Sequence, residues 1–246
     1  ISGNNITLNT FNQTPGVSTD QVTFLFKDTD FNMVPTTAPV NDRIPQPIGI
    51  NLVTVGGGNT DMRSSSGSVA MCAVNDLYLA TGAAESRLGV ATSMTGGDSV
   101  RFTNGDPLNL NLGTAADSVS GIAANAALQK VQMVTYFVTA DGTLVRRQYV
   151  NRLPAVNWVD EPLVYGVENF QIQYVMNNGT LSDNPSAGPN QIPGDADDDQ
   201  ANLALVRQVR FTITVRSVET TGANNQFFRE TMTATFSTRN MGYEAN

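Results

Sequence analysis

Apolar and polar side chains alternate with period two along the last third of the chain. In Leu163 to Met176, LVYGVENFQIQYVM, the residues Glu168, Phe170, Ile172, Tyr174 and Met176 fall on one side and Val167, Asn169, Gln171, Gln173 and Val175 on the other, the pattern of a half-buried strand. Leu205 to Val218 alternates more cleanly, with Val209, Phe211, Ile213 and Val215 against Arg210, Thr212, Thr214 and Arg216. Both arginines are therefore expected on a solvent face, where losing either changes stability little. In Arg229 to Tyr243, Met232, Ala234, Phe236 and Thr238 oppose Thr231, Thr233, Thr235 and Ser237. Together the three segments predict an antiparallel sheet with one wet face.

The same reading extends to the rest of the chain. Ile6 and Leu8 mark a short edge strand before a turn at Pro15-Gly16, and Val22, Phe24 and Phe26 alternate with Thr23, Leu25 and Lys27 in a further strand. Pro35, Pro39, Pro45 and Pro47 make 33–47 an irregular excursion. Ile48 to Val55 reads as a strand running into Gly56-Gly57-Gly58, which no Lys-Ser or Lys-Thr follows, so a flexible loop is expected there rather than a phosphate loop. Val69 to Gly82 is nearly all apolar and makes Cys72 a small core residue; Asn104 to Pro107 is a turn. Thr114 to Gln129, Ala-rich with Asp117 near its start, is the one segment with helical propensity. Val131 to Val150 is a hairpin around Asp141-Gly142, a pair favoured where both central residues take positive φ. Trp158 is expected to anchor the core under a loop, with an intersubunit contact as the competing use. The fold class is thus mainly β, antiparallel sheets with long polar loops and at most one short helix. The chain reads as a single domain over 1–246, any division giving lobes 1–130 and 131–246.

Composition narrows the function. A net charge of −8 leaves no basic footprint for nucleic acid or for an anionic membrane surface. Charged residues make up 15% of the chain, well under the usual quarter, so with Asn, Thr, Gly and Ser abundant the surface is hydrogen-bonding rather than ionic. A single cysteine cannot form an internal disulfide, and with no histidine a thiol or serine nucleophile lacks its usual base. No apolar run reaches the ~18 residues of a membrane helix. A non-enzyme is expected.

Three constellations invite chemistry. In Asn177 to Leu203 the carboxylates of Asp195, Asp197 and Asp199, with Asp183 and Asp198 nearby, could grip Ca²⁺, although the EF-hand's sixth-position Gly and terminal Glu are missing and a hydrated acidic loop needs no ion. Asp160 with Glu161, or Asp28 with Asp30, could be nominated as a hydrolytic carboxylate pair, but neither lies among sugar-stacking aromatics. Asn5, Asn12 and Asn178 begin Asn-x-Ser/Thr sequons.

The order VENFQIQY, a Gly/Asn/Asp-rich insertion, VRQVRFTITVRS and FSTRNMGY, preceded by the hairpin from Tyr136 to Arg147, resembles the C-terminal half of PilW-type minor pilins of type IV pili. The likeness covers roughly Val131 to Tyr243 and is a pattern of strands, not a catalytic signature. It implies a pilin-like globular part acting as a non-catalytic structural subunit of an extracellular filament or its priming tip complex, with the J-type minor pseudopilin of type II secretion as a relative in role. Such pilins open with a methylated Phe and a long apolar helix, and nothing like these precedes Ile1. The resemblance therefore implies a helix lost by truncation or processing, or supplied by a separate helix-bearing chain, and an α+β fold if that helix is counted. The partners implied are other pilin subunits. Contact with a membrane would come only through the helix, the subunit being held in the inner membrane before assembly. The competing reading is a β-rich adhesin or carbohydrate-binding module, its acidic loop holding Ca²⁺ and Trp158 in a sugar site.

Overall fold

The computed structural model describes residues 2–8, 18–28, 48–55, 59–64, 72–82, 86–95, 99–106, 108, 110–111, 119, 126–152, 155–186, 205–221 and 225–237. These are nearly all β, in antiparallel strands, with no α-helix among the described residues. The chain forms two compact units from interleaved segments. Unit 1 takes residues 1–24, 135–147 and 160–246, and unit 2 takes 25–134 and 148–159. Strands β2 (Ser18–Lys27), β9 (Ala126–Val138), β10 (Leu144–Arg152) and β11 (Ala155–Val164) contribute residues to both.

In unit 1, β1 (Ser2–Leu8) pairs with β2, and a four-stranded sheet runs in the order β13-β12-β14-β15, from β12 (Val167–Met176), β13 (Leu181–Ser182), β14 (Val206–Thr221) and β15 (Gln226–Ser237). The alternation in β14 holds: Val209 is buried, and Phe211, Ile213 and Val215 pack on the same core as Val22, Val138, Phe170 and Ile172. Polar groups tie that core together. The buried Asp20 carboxylate accepts the Ile172 N–H at 2.7 Å, and the hydroxyls of Thr23 and Thr135 meet at 2.9 Å. On the far face Thr212 and Thr214 hydrogen-bond Thr233 and Thr231 at 3.3 and 2.9 Å.

The segment expected as one strand from Leu163 to Met176 is two. Tyr165 and Gly166 separate β11 from β12, with Gly166 at φ +77° and its carbonyl accepting the Arg216 N–H at 2.8 Å. A bulge follows, since Val167 lies opposite Val215 while Asn169 lies opposite Thr214. The extra residue reverses two assignments. Val167, expected on the polar face, is fully buried in the core, and Glu168, expected beside Phe170, instead meets Arg216 and Arg229. Arg216 is therefore not a free solvent-face arginine: its guanidinium lies 3.6 Å from Glu168 and over the Phe227 ring.

The hairpin of β9 and β10 is present, with a different turn from the one expected. Gly142 has φ +78° but Asp141 does not share a positive φ, and the Gly142 N–H donates to the Thr139 carbonyl at 3.0 Å while the Thr139 N–H donates to Thr143 at 2.9 Å. This is the three-residue loop, a type I turn closed by a left-handed glycine. The Thr139 hydroxyl also hydrogen-bonds the Asp141 carboxylate, which holds that carboxyl below its ordinary range.

In unit 2, residues of β9 lie between β3 (Ile48–Val55) and β5 (Leu77–Thr81), Leu128 facing Ile48 on one side and Ala80 on the other. β3 continues through β4 (Asn59–Ser64) and β8 (Ser99–Phe102) to β7 (Ser93–Thr95), and β5 pairs with β6 (Ser86–Val90). The core is built by Tyr78, Ala80, Ala91, Val100, Phe102, Val119 and Leu128, with a second cluster of Leu77, Val90, Val131 and Tyr149. The turn after Phe102 is confirmed. Gly105 has φ +86°, the buried Asp106 carboxylate accepts the N–H groups of Leu108 and Asn111, and the Asn111 amide bridges Val90 to the Thr103 carbonyl. The expected helix over Thr114 to Gln129 is corrected at its end: Ala126 to Gln129 begin β9, because pairing with β3 and β5 outweighs alanine's helical preference. Most of its earlier residues lie outside the described ones, as do Gly56-Gly57-Gly58 and 33–47.

Candidate functional site

Two places concentrate unusual chemistry, one in each unit. In unit 2 a cleft of about 400 Å³ is lined by Asp28, Asp76, Lys130, Gln132, Gln148 and Tyr149 among others. A turn with Asn75 at φ +68° places Asp76 at the head of β5, where its backbone pairs with Ala91. Lys130, on β9, sets its ammonium 2.9 Å from the Asp76 carboxylate and 3.7 Å from that of Asp28. The Tyr78 hydroxyl donates to Asp76 at 3.2 Å, and the Tyr149 hydroxyl donates to the Asn75 carbonyl at 2.5 Å.

Burial favours the neutral, protonated forms of one thiol and two phenols here. Burial raises the half-buried Cys72 thiol to about 11 and the Tyr149 hydroxyl to about 12, with the charges of Asp76 and Asp106 adding to the latter. Burial also raises Tyr78, aided by Cys72 and Asp76. A thiol held protonated at pH 7 is a poor nucleophile. Lys130 bridges carboxylates on two different segments in one ion-pair cluster.

In unit 1 the second place is β15. Glu168, 5% exposed, receives a bidentate clamp from Arg229, at 2.7 and 3.1 Å, with Arg216 on its other side. Beyond this clamp the strand is open on both faces. Phe228, Met232 and Phe236 are 63%, 52% and 59% exposed, and Phe236 meets Phe211 edge-on, its ring centroid 5.8 Å away. Among the described residues β15 has β14 as its one strand neighbour.

The residues singled out from sequence fall differently. Asp195, Asp197 and Asp199, the proposed Ca²⁺ ligands, lie outside the described residues, as do Asp198 and Asp30. No cluster of three metal-ligating side chains occurs among the described residues. Asp160 and Glu161 are each engaged by an arginine, Asp160 by Arg147 with two bonds of 2.7 Å and Glu161 by Arg146 at 3.1 Å, all on the surface. Arg147 holds the Asp160 carboxyl below its usual range. Asp28 is paired with Lys130. Trp158 is not a core anchor. It sits on β11, 40% exposed, with the Tyr149 ring edge-on to it, its centroid 5.6 Å away. Asn178 lies in an exposed turn where its side chain accepts from Thr180. The sequence reading missed the cleft because Asp28, Asp76 and Lys130 are about 50 residues apart in sequence, each on a different segment. It also missed Glu168, because a bulge leaves no signature in alternation.

No protein-family model matches the chain, and comparison with curated proteins finds no match.

Proposed function

We propose that the chain is a non-catalytic structural subunit of a type IV pilus-like extracellular filament, or of its priming tip complex, working by packing against other pilin-like subunits at the cell envelope. The observation that carries this reading is β15, a twelve-residue edge strand in which three of the four large apolar side chains, Phe228, Met232 and Phe236, are each more than half exposed. A row of that kind is rarely left to water in a chain that acts alone. The cleft of unit 2 supports the same reading, since Lys130 engages Asp28 and Asp76 and burial holds the Cys72 thiol and the Tyr78 and Tyr149 phenols protonated. The test is antibody labelling of filaments sheared from cells that make the protein, viewed by electron microscopy. Label along filaments or at their tips is the expected result. Filaments that remain unlabelled, and undiminished when the gene is deleted, overturn the proposal.

A further inference from the structure

Among the described residues, the sheet edges of unit 1 other than β15 carry features that discourage strand-to-strand association. β13 is two residues long, β11 carries Asp160, Glu161 and Pro162, and β1 breaks register between Gly3 and Thr7. From Thr231 to Ser237, β15 has no charge, no proline and no break in its register with β14.

The direction of its backbone groups follows from its neighbour. Arg216 gives its N–H to Gly166 and so turns away from β15; Arg229, opposite Arg216, therefore points its own N–H and C=O outward, and so do Thr231, Thr233 and Thr235. Phe228, whose N–H bonds the Ser217 hydroxyl of β14, marks the alternate set that faces inward.

We propose that β15 pairs antiparallel with β15 of a second copy, on a two-fold axis through Met232, joining two four-stranded sheets into one of eight. The occupant is a second copy because the strand is complementary to itself in this register. Phe228, Met232 and Phe236 are spaced symmetrically, so Phe228 lies against the partner's Phe236 and Met232 against the partner's Met232. These inward-facing positions become non-hydrogen-bonded pairs, where side chains approach most closely. Thr231 and the partner's Thr233 become a doubly hydrogen-bonded pair and extend the hydroxyl ladder already formed with Thr214 and Thr212. The two charges of the strand oppose no like charge, since Arg229 meets the partner's Thr235 and Glu230 meets the partner's Ala234. In a chain of net charge −8, this strand is neutral, so the repulsion acting between copies is weakest there. The pairing rests on reading β15 as a packing surface, and it adds the identity of one partner.

A strand pair covers less than the ~800 Å² per partner of a standard stable interface, so the dimer is a weak one that forms at high protein concentration. Cysteine cross-linking traps it. In the purified chain with Cys72→Ala, Met232→Cys puts two thiols at a non-hydrogen-bonded pair whose Cα separation of about 4.5 Å suits a disulfide, whereas Ala234→Cys faces the partner's Glu230. Under mild oxidant Met232→Cys should form covalent dimer at least ~10-fold faster than Ala234→Cys, the register separating the two sites by a pair of residues. Sedimentation equilibrium should show a reversible dimer for the unaltered chain and a monomer for Met232→Lys, which sets two ammonium groups together on the axis. Equal cross-linking rates overturn the register, and a chain monomeric at all concentrations, or a dimer indifferent to Met232→Lys, overturns the pairing. Those measurements use purified chain, so their failure leaves the filament-labelling result standing, and unlabelled filaments would leave a measured dimer standing.

Discussion

Phe170→Ala tests whether the β12–β14 face is the core of unit 1. Phe170 is 5% exposed, lies opposite Ile213, and stacks on Phe211 with centroids 6.2 Å apart and planes 11° from parallel. An aromatic side chain of this kind buries about 150–250 Å², which at roughly 25 cal/mol per Å² is an upper bound of about 4–6 kcal/mol. The denatured chain already hides part of that surface, so the expected loss is about 3–5 kcal/mol. Phe211 is only half-buried, and Phe211→Ala should cost nearer 2 kcal/mol, about half as much. Because the two rings touch, the double variant should lose less than the sum of the singles by about 0.5–1.5 kcal/mol. Arg210→Ala, on the Thr face, should stay within about 0.5 kcal/mol. Urea unfolding followed by far-ultraviolet circular dichroism reads all four variants, the midpoint moving by one to several molar for Phe170→Ala if the slope is about 1–3 kcal/mol per molar. A Phe170→Ala midpoint no lower than that of Arg210→Ala would refute the assignment of this face to the core.

Arg216→Ala should be about 1–3 kcal/mol less stable than the unaltered chain, unlike Arg210→Ala, because it removes one of the arginines beside the buried Glu168 carboxylate; equal midpoints for the two arginine variants count against the clamp. Gly166→Ala should cost about 2–4 kcal/mol in the same assay, since a Cβ would lie 2.5 Å from the Arg216 carbonyl oxygen at a φ of +77°; a neutral result would mean that the β11–β12 corner adopts another shape. Cys72 should react slowly with a neutral thiol reagent at pH 7, with the rate rising steeply only as pH approaches about 11. Its raised folded value also has a linkage sign. The folded state keeps the proton while the unfolded thiol loses it near 9.0, so the contribution to stability is complete below that pH and disappears between about 9 and 11. In Cys72→Ala alkaline unfolding should accordingly shift to higher pH, and an unshifted alkaline limb would show that the thiol is not desolvated.

Sequence alone determined that the last third is built of strands and which face of β14 meets the core, because period-two alternation records which side chains leave water. It also placed the hairpin around Asp141-Gly142, though not the type of its turn, and the turn at Gly105. Tertiary structure decided what depends on partners distant in the chain. Ala126 to Gln129 became strand because β3 and β5 flank them, against their own preference for helix. One extra residue at Val167-Glu168 turned a valine inward and a glutamate toward two arginines, a change that costs alternation nothing visible. Trp158 stayed on the surface, since size and hydrophobicity say what a residue prefers but not where its strand ends in the sheet. Asp76, Asp28 and Lys130 meet only because antiparallel pairing brings β5 and the end of β2 to the same stretch of β9, and the openness of β15 exists only because it is the last strand of its sheet.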